Sequence, residues 1–305
     1  ICMRKTALFF RRVCLSVTWV FLFTGTGNGV GNGNCSMHQE SIISQLVRPL
    51  QLTAQASMQL IQQTDANKVY KLSDGHRQFA VKWIEEAHFS GVNRFHQFVL
   101  QEQLAHRGIA PQPLWLSDDG RVWVENWLSV ESASGDHARV QTLANALAAV
   151  HAQPITARPL ELSRRWSHYI AEAGLPASHP LVADVETLKP KIPLYDADDD
   201  NLTLCHNDLH ISHILSENDL VIVDWEYSAM GNRYFDIASC IAINRLSEKE
   251  SATLCNAYAE LSGLDEYRVR QLVRQQVPVV DLTNKLWLTA LEQHKTESEE
   301  LESAG

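Results

Sequence analysis

The chain has little positive charge to spare. Its 26 Lys and Arg face 36 Asp and Glu, for a net charge of −10 over 305 residues. Four of the cations (Arg4, Lys5, Arg11, Arg12) lie in the first 36 residues, which hold no acid, and without them the net charge is −14. A surface of that sign repels phosphate backbones and excludes nucleic acid as a partner. There are six cysteines and no C-x-x-C pair, which argues against a zinc ribbon or a disulfide framework. Cys205 ends an apolar run beside His206 and reads as a buried structural thiol. The most apolar run, the 11 residues Val13 to Phe23, falls short of the roughly 20 that a membrane-spanning helix needs. There are no internal repeats. What remains is 45% apolar and 20% charged, an ordinary globular composition with length enough for two lobes.

The segment Leu202 to Ala242 carries the chemistry. Two short apolar runs, Leu202 to Cys205 and Leu220 to Val223, each end in polar residues grouped around an Asp. The first group is His206-Asn207-Asp208, and the second, sixteen residues on, is Asp224-Trp225-Glu226. An Asp in a loop followed by an Asp closing a strand is the layout of phosphoryl transfer from ATP. The first, Asp208, orients and deprotonates the attacking hydroxyl, and the second, Asp224, holds the magnesium that bridges the phosphates. Such chemistry asks mainly for positioning and charge neutralisation, which a few carboxylates on a rigid frame supply.

The rest of that layout is present upstream. Phe79-Ala80-Val81-Lys82-Trp83 reads as a strand that aims Lys82 at phosphates. Asn93 to His106 has helical periodicity, ends at Gly108 and Pro111, and carries Glu102 as the expected partner of Lys82. Leu114 to Leu116 and Val122 to Val124, around Asp118-Asp119-Gly120, form a hairpin signal. Glu125-Asn126-Trp127-Leu128 would then link two lobes, with backbone groups at Glu125 and Trp127 placed to bind adenine.

The combination HNDLH, IVDWEY and FDIA resembles the aminoglycoside phosphotransferase and choline kinase family over roughly Leu60 to Leu246, and DWEY is similar to its choline, ethanolamine and thiamine kinase branch. The resemblance implies that Asp208 is the catalytic base and Asp224 a magnesium ligand. It implies that Lys82, paired with Glu102, binds phosphate, and that Asp236 braces the catalytic loop. Asn67, followed by Val69-Tyr70, resembles the family's Thr-Asn-x-x-Tyr element beside the phosphates. Glu226 faces the acceptor in that branch, and the aromatics Trp225, Tyr227, Tyr234 and Trp287 are candidates for a cage around a cation. Helix Val140 to His151 resembles the family helix that ends in a His.

Two departures stand out. The family's magnesium-binding Asn, five residues after the catalytic Asp, is His213 here, although magnesium prefers oxygen. The first hairpin turn, Gln62 to Tyr70, has no glycine, which leaves backbone amides and the Thr64 hydroxyl for phosphate contact. The His206, His210 and His213 cluster also admits a zinc site completed by Asp208 or Asp224. That reading leaves Lys82 and Glu102 without a role. His206 is expected to pack and orient the loop, and His210 to face substrate or solvent.

An ATP enzyme bears on how Met3 to Phe23 is read. That stretch resembles a secretory signal, but Gly25 to Cys35 offers no clear cleavage site, and ATP is scarce outside the cytoplasm. Met37 opens an amphipathic helix (Ile42, Ile43, Leu46, Val47, Leu50), so translation is expected to start there. Residues 1–36 are then a leader or mis-assigned extension, 37–128 an ATP-binding N-lobe, and 129–305 a C-lobe with the catalytic loop, metal and acceptor sites. Helices are expected at Val140 to Ala152, Ser163 to Ala173, Leu181 to Leu188, Phe235 to Leu246 and Ser247 to Ser262, the last with a Ser247–Glu250 capping box. Arg268 to Leu291 adds one or two more, and Thr296 to Gly305 is an acidic, frayed tail.

The expected fold is α+β and two-lobed like a protein kinase, with a small N-terminal antiparallel-sheet lobe and a larger, mainly helical C-terminal lobe. The expected activity is ATP- and magnesium-dependent phosphorylation of a hydroxyl on a small cationic metabolite such as thiamine or choline, in the cytoplasm and without a membrane. The alternatives are an aminoglycoside phosphotransferase and a catalytically degenerate, nucleotide-binding kinase fold.

Overall fold

The computed structural model describes residues 32–63, 67–84, 91–129, 136–192, 201–216 and 219–304. In chain order the elements are α1 (Asn32–Leu50), β1 (Ser57–Gln63), β2 (Asn67–Asp74), β3 (Arg77–Ile84), α2 (Arg94–His106), β4 (Pro113–Leu116), β5 (Val122–Asn126), α3 (Asp136–His151), α4 (Leu162–Glu172), α5 (Pro180–Leu188), β6 (Leu202–Cys205), β7 (Ile214–Ser216), β8 (Val221–Ile222), β9 (Ala229–Asn232), α6 (Arg233–Ile243), α7 (Glu248–Ser262) and α8 (Glu266–Ala304). They fall into two compact units. One comprises Ile1–Glu85, Phe98–Ser132 and Ser212–Asp224, and the other Glu86–Gln97, Ala133–Ile211 and Trp225–Gly305. Thr64 and residues 1–31 lie outside the described residues.

The first unit is built on a five-stranded sheet of order β1-β2-β3-β5-β4, with every neighbouring pair antiparallel. Ile42, Leu46 and Leu50 recur every four residues and make one apolar stripe on α1. That stripe packs on Tyr70, Leu72, Phe79, Val81, Val122 and Val124 from β2, β3 and β5. The β2–β3 turn uses Gly75, whose φ of +63° suits a residue without Cβ. Asp74 at that turn accepts from the Thr53 amide and hydroxyl and from Arg77. Arg77 also donates to the carbonyls of Leu50 and Gln51, tying the end of α1 to the hairpin. The expected hairpin after α2 is β4–β5, and a short β7–β8 hairpin joins this unit through the Ile222 amide on the Ile109 carbonyl at 2.8 Å.

The second unit is mainly helical. Among the described residues Trp166, Trp225, Tyr169 and Tyr258 are its largest fully buried side chains, and the Trp166 indole donates to Thr283 on α8 at 2.8 Å. The helices lie within a few residues of the spans predicted for them. The Ser247–Glu250 capping box forms as predicted, and α7 ends at Gly263 with φ +66°. The C-terminal part differs from expectation. A single 39-residue helix replaces one or two, running through Pro278 and on through the acidic stretch predicted to fray. Glu, Lys, Leu and Ala are good helix formers, and after Pro278 the sequence offers no Gly or Pro before Gly305 to stop the helix.

Ser247→Ala removes one of two reciprocal hydrogen bonds at the start of α7. It is expected to lower unfolding free energy by about 1 kcal/mol in urea titrations.

Candidate active site

In the first unit, β3 places Lys82 opposite Val69 on β2 and Trp123 on β5. Its ammonium donates to Asp224 Oδ1 at 3.1 Å, across 142 positions of sequence, with both side chains largely buried. Asp224 lies two residues past the end of β8. The Val223 amide beside it donates to the His213 carbonyl at 2.9 Å, and Asp224 itself has φ +68°, in the left-handed region that Asp tolerates better than most residues. Such a conformation tends to mark functional positions. The other carboxylate oxygen lies 3.7 Å from Nε2 of the fully buried His213, too far for a hydrogen bond.

This corner fits a magnesium ion through the Asp224 carboxylate, a hard oxygen donor. The His213 nitrogen is a poorer match in hardness, although its position beside Asp224 is that of a neighbouring ligand or brace. Next to it Val69, Ala80, Leu215 and Val223 form a buried apolar cluster, edged by Trp127 and Leu128. The Lys71 ammonium lies 4.7 Å from the centre of the Trp127 ring. Asn67 opens β2 opposite Ile84.

Two expected contacts in this unit turn out otherwise. The ion pair of Lys82 is with Asp224, not Glu102. Glu102 lies partly exposed on α2, where its carbonyl meets His106 Nδ1 at 2.8 Å. The residue α2 turns inward is its neighbour Gln101, which donates to Glu125 Oε2 at 2.7 Å and to the Pro111 carbonyl at 3.0 Å. Glu125 also accepts from the Trp123 indole at 2.8 Å. Its backbone lies in the ladder between Ala80 and Pro113, so it supports the sheet from inside rather than offering groups at a link. Trp127 follows β5 and donates its amide to the Gln78 carbonyl at 3.2 Å.

In the second unit, Asp236 organises the His206-Asn207-Asp208 loop from the first turn of α6. Its Oδ1 accepts the Asn207 amide at 2.7 Å, and its Oδ2 accepts the His206 amide at 2.7 Å and meets His151 Nε2 at 3.0 Å. His151, the last residue of α3, passes the network on to the Tyr258 hydroxyl through Nδ1 at 2.8 Å. Burial alone would raise the Asp236 pKa, but the hydrogen bond and charge of His151, with the charge and amide of His206, hold it below the usual carboxylate range. Asn207, at φ +65°, donates its side-chain amide to the Tyr227 carbonyl at 2.9 Å, and its own carbonyl accepts from the Ser239 hydroxyl at 3.0 Å. Downstream, Asn244 accepts from the Ile211 amide at 2.9 Å and donates to the Leu209 carbonyl at 2.8 Å. Asp208 therefore sits between two anchored stretches of backbone. His206, expected to pack and orient the loop, is fully buried, and its ring packs on Trp225 with centroids 4.9 Å apart. His210, one residue before the anchored Ile211, is half-buried.

Beyond Asp208 lies an aromatic and charged region of the same unit. The Tyr227 hydroxyl accepts from the Trp287 indole at 3.1 Å. Burial pushes the Tyr169 and Tyr227 hydroxyls up, and the carboxylates of Glu226 and Asp208 push both further. The Arg165 guanidinium stands 5.5 Å from the centre of the Tyr227 ring. Glu226, expected to meet the acceptor's cation, is held by Arg94 at 2.5 Å, and Arg94 also donates to Gln97 at 3.3 Å.

Sequence reasoning missed Arg94, Arg165, Gln101 and Asn244. Arg94 and Gln101 lie on one helix at a spacing of seven, a signal that both share an inward face. Nothing local flags Arg165.

Known proteins offer a frame for this geometry. A "Protein LicA homolog" of Metamycoplasma hominis is 32% identical over 103 residues, which is 33% of this chain and 39% of that relative's length. The fold is similar to that of choline kinase LicA from Streptococcus pneumoniae, with a TM-score of 0.65 and 17% identity over 85% of this chain and 92% of that one. It is also similar to a Plasmodium vivax ethanolamine kinase, with a TM-score of 0.67 and 16% identity over 87% of this chain and 85% of that one. Residues 58–273, about seven tenths of the sequence, match the model of the phosphotransferase enzyme family, APH, and the chain belongs to that family.

Proposed function

We propose that this phosphotransferase moves the γ-phosphoryl group of ATP to the hydroxyl of a small cationic metabolite, with choline the first candidate. The observation that carries the reading is the ion pair between Lys82 and Asp224. It joins a strand lysine to the carboxylate that ends the Leu220 to Val223 run, as phosphate and metal handling require.

In this reading the adenine ring rests on the apolar cluster of Val69, Ala80, Leu215 and Val223, and Lys82 binds the phosphates. Glu102 stays available on α2 as a second partner for Lys82 once nucleotide draws the lysine away from Asp224. Asn67, at the mouth of the glycine-free turn, is a further phosphate contact. When bound, magnesium neutralises charge on the β- and γ-phosphates, and Asp224 is the residue that would hold it, with His213 as second ligand or brace. The acceptor oxygen attacks phosphorus as the bond to the β–γ bridging oxygen breaks. ADP leaves, and the hydroxyl proton passes to the Asp208 carboxylate. Asp236 keeps that carboxylate in place through the His206 and Asn207 amides. Tyr227 and Trp287 form one wall of the acceptor site, and His210 lies at its rim.

Choline is favoured over thiamine because two relatives of the same fold are named choline kinase and ethanolamine kinase. A cytoplasmic site fits the use of ATP. Among the described residues no helix is long and apolar enough to cross a membrane.

With ATP and magnesium, the chain is expected to consume ATP in the presence of choline more than with thiamine, ethanolamine or kanamycin. Asp208→Asn is expected to lower turnover at least about 100-fold while nucleotide affinity stays within about twofold. Turnover retained in Asp208→Asn would contradict the assignment of the base. His213→Asn restores an oxygen donor and is expected to lower, by about threefold, the magnesium concentration that half-saturates nucleotide binding, measured by calorimetry. A higher requirement would make His213 a brace for Asp224.

A further inference from the structure

We infer that Arg165 is a built-in occupant of the cation position on Tyr227, and so sets how strongly a cationic acceptor binds. The inference rests on the cationic-acceptor reading and narrows it. Two features of the second unit would recognise a quaternary ammonium, the face of Tyr227 and the carboxylate of Glu226, and the chain's own arginines engage both. Arg165 projects from α4 with its guanidinium 5.5 Å from the Tyr227 ring centre, within the range of a cation–π contact. Arg94 closes on Glu226 at 2.5 Å, with the two side chains only 10% and 15% exposed.

The two arginines differ in how readily they yield. Arg94 and Glu226 are a hydrogen-bonded, mostly desolvated pair, which resists breaking because a buried charge would be left behind. A trimethylammonium has no N–H to replace the lost hydrogen bond. Glu226 is therefore neutralised from within and lends little net charge to the acceptor. Arg165 is half-buried, and its contact with Tyr227 is a ring-face attraction, which a second cation can replace with like. Among the described residues, the charged groups near Tyr227 include Asp208, Glu226 and Arg165, with Arg94 on Glu226. Moving Arg165 away leaves that ring beside the carboxylate of Asp208. A cationic acceptor thus binds by displacing Arg165, and its affinity is lowered by that displacement. A neutral acceptor of the same shape gains nothing from Arg165 leaving beyond space.

The test compares choline with its neutral carbon isostere, 3,3-dimethylbutan-1-ol, by calorimetric titration of the full chain. Wild type, Arg165→Ala and Arg165→Lys are compared. Arg165→Ala is expected to tighten choline binding about fivefold and to leave the isostere within about twofold, while Arg165→Lys stays near wild type for both. Choline bound by wild type but not tightened by Arg165→Ala would overturn the inference alone. Equal tightening of both ligands would overturn it too, by making Arg165 a steric obstacle. Choline bound by none of the three proteins, each still binding ATP, would overturn the inference together with the cationic-acceptor reading.

Discussion

One buried carboxylate holds the loop that carries Asp208. Asp236 accepts two consecutive backbone amides, His206 and Asn207, and a third bond from His151. Both amides point to one carboxylate, and directly after them Asn207, at φ +65°, turns the chain. The residue after the turn is Asp208. A carboxylate that takes a proton from a substrate must be fixed before the substrate arrives, since positioning supplies most of what phosphoryl transfer needs. Asp236 is fully buried and remains ionised because every oxygen is met by a donor. Burial and ionisation together make the clamp stiff.

The first unit solves a parallel problem by different means. Asp224 also sits at positive φ, but it is held by hairpin pairing and by Lys82 rather than by paired amides. The lysine neutralises the carboxylate in the form described here. Nucleotide would offer Lys82 its phosphates and leave Asp224 to a metal. The arrangement is therefore one of exchangeable partners, unlike the Asp236 network, whose donors belong to the fold itself.

Much of this was legible in the sequence where chemistry is local. The HNDLH and DWEY groups are contiguous, so the polar clusters around Asp208 and Asp224 stand out in the sequence. The capping box at Ser247 and Glu250, the β4–β5 hairpin and the apolar stripe of α1 follow from short-range rules. Contacts made across the chain were not legible. Gln101, which α2 turns toward Glu125, stands one position, or about 100° around the helix, from Glu102. Arg165 reaches Tyr227 from 62 residues away and Arg94 reaches Glu226 from 132, and neither has a local signature. The length of α8 was misjudged because Pro278 and the acidic end both suggested a stop, whereas packing of Val279, Val280, Leu282 and Leu286 carries the helix onward.

The central claim is that Asp236 holds the His206 and Asn207 amides and so presents Asp208. Amide hydrogen exchange of Asp236→Asn against wild type tests it most directly, because exchange reads those two amides themselves. The account predicts that exchange at residues 204–209 speeds up by at least about tenfold, while β2 and β3 of the first unit keep their protection. Unchanged exchange at His206 and Asn207 in a folded Asp236→Asn protein would contradict it.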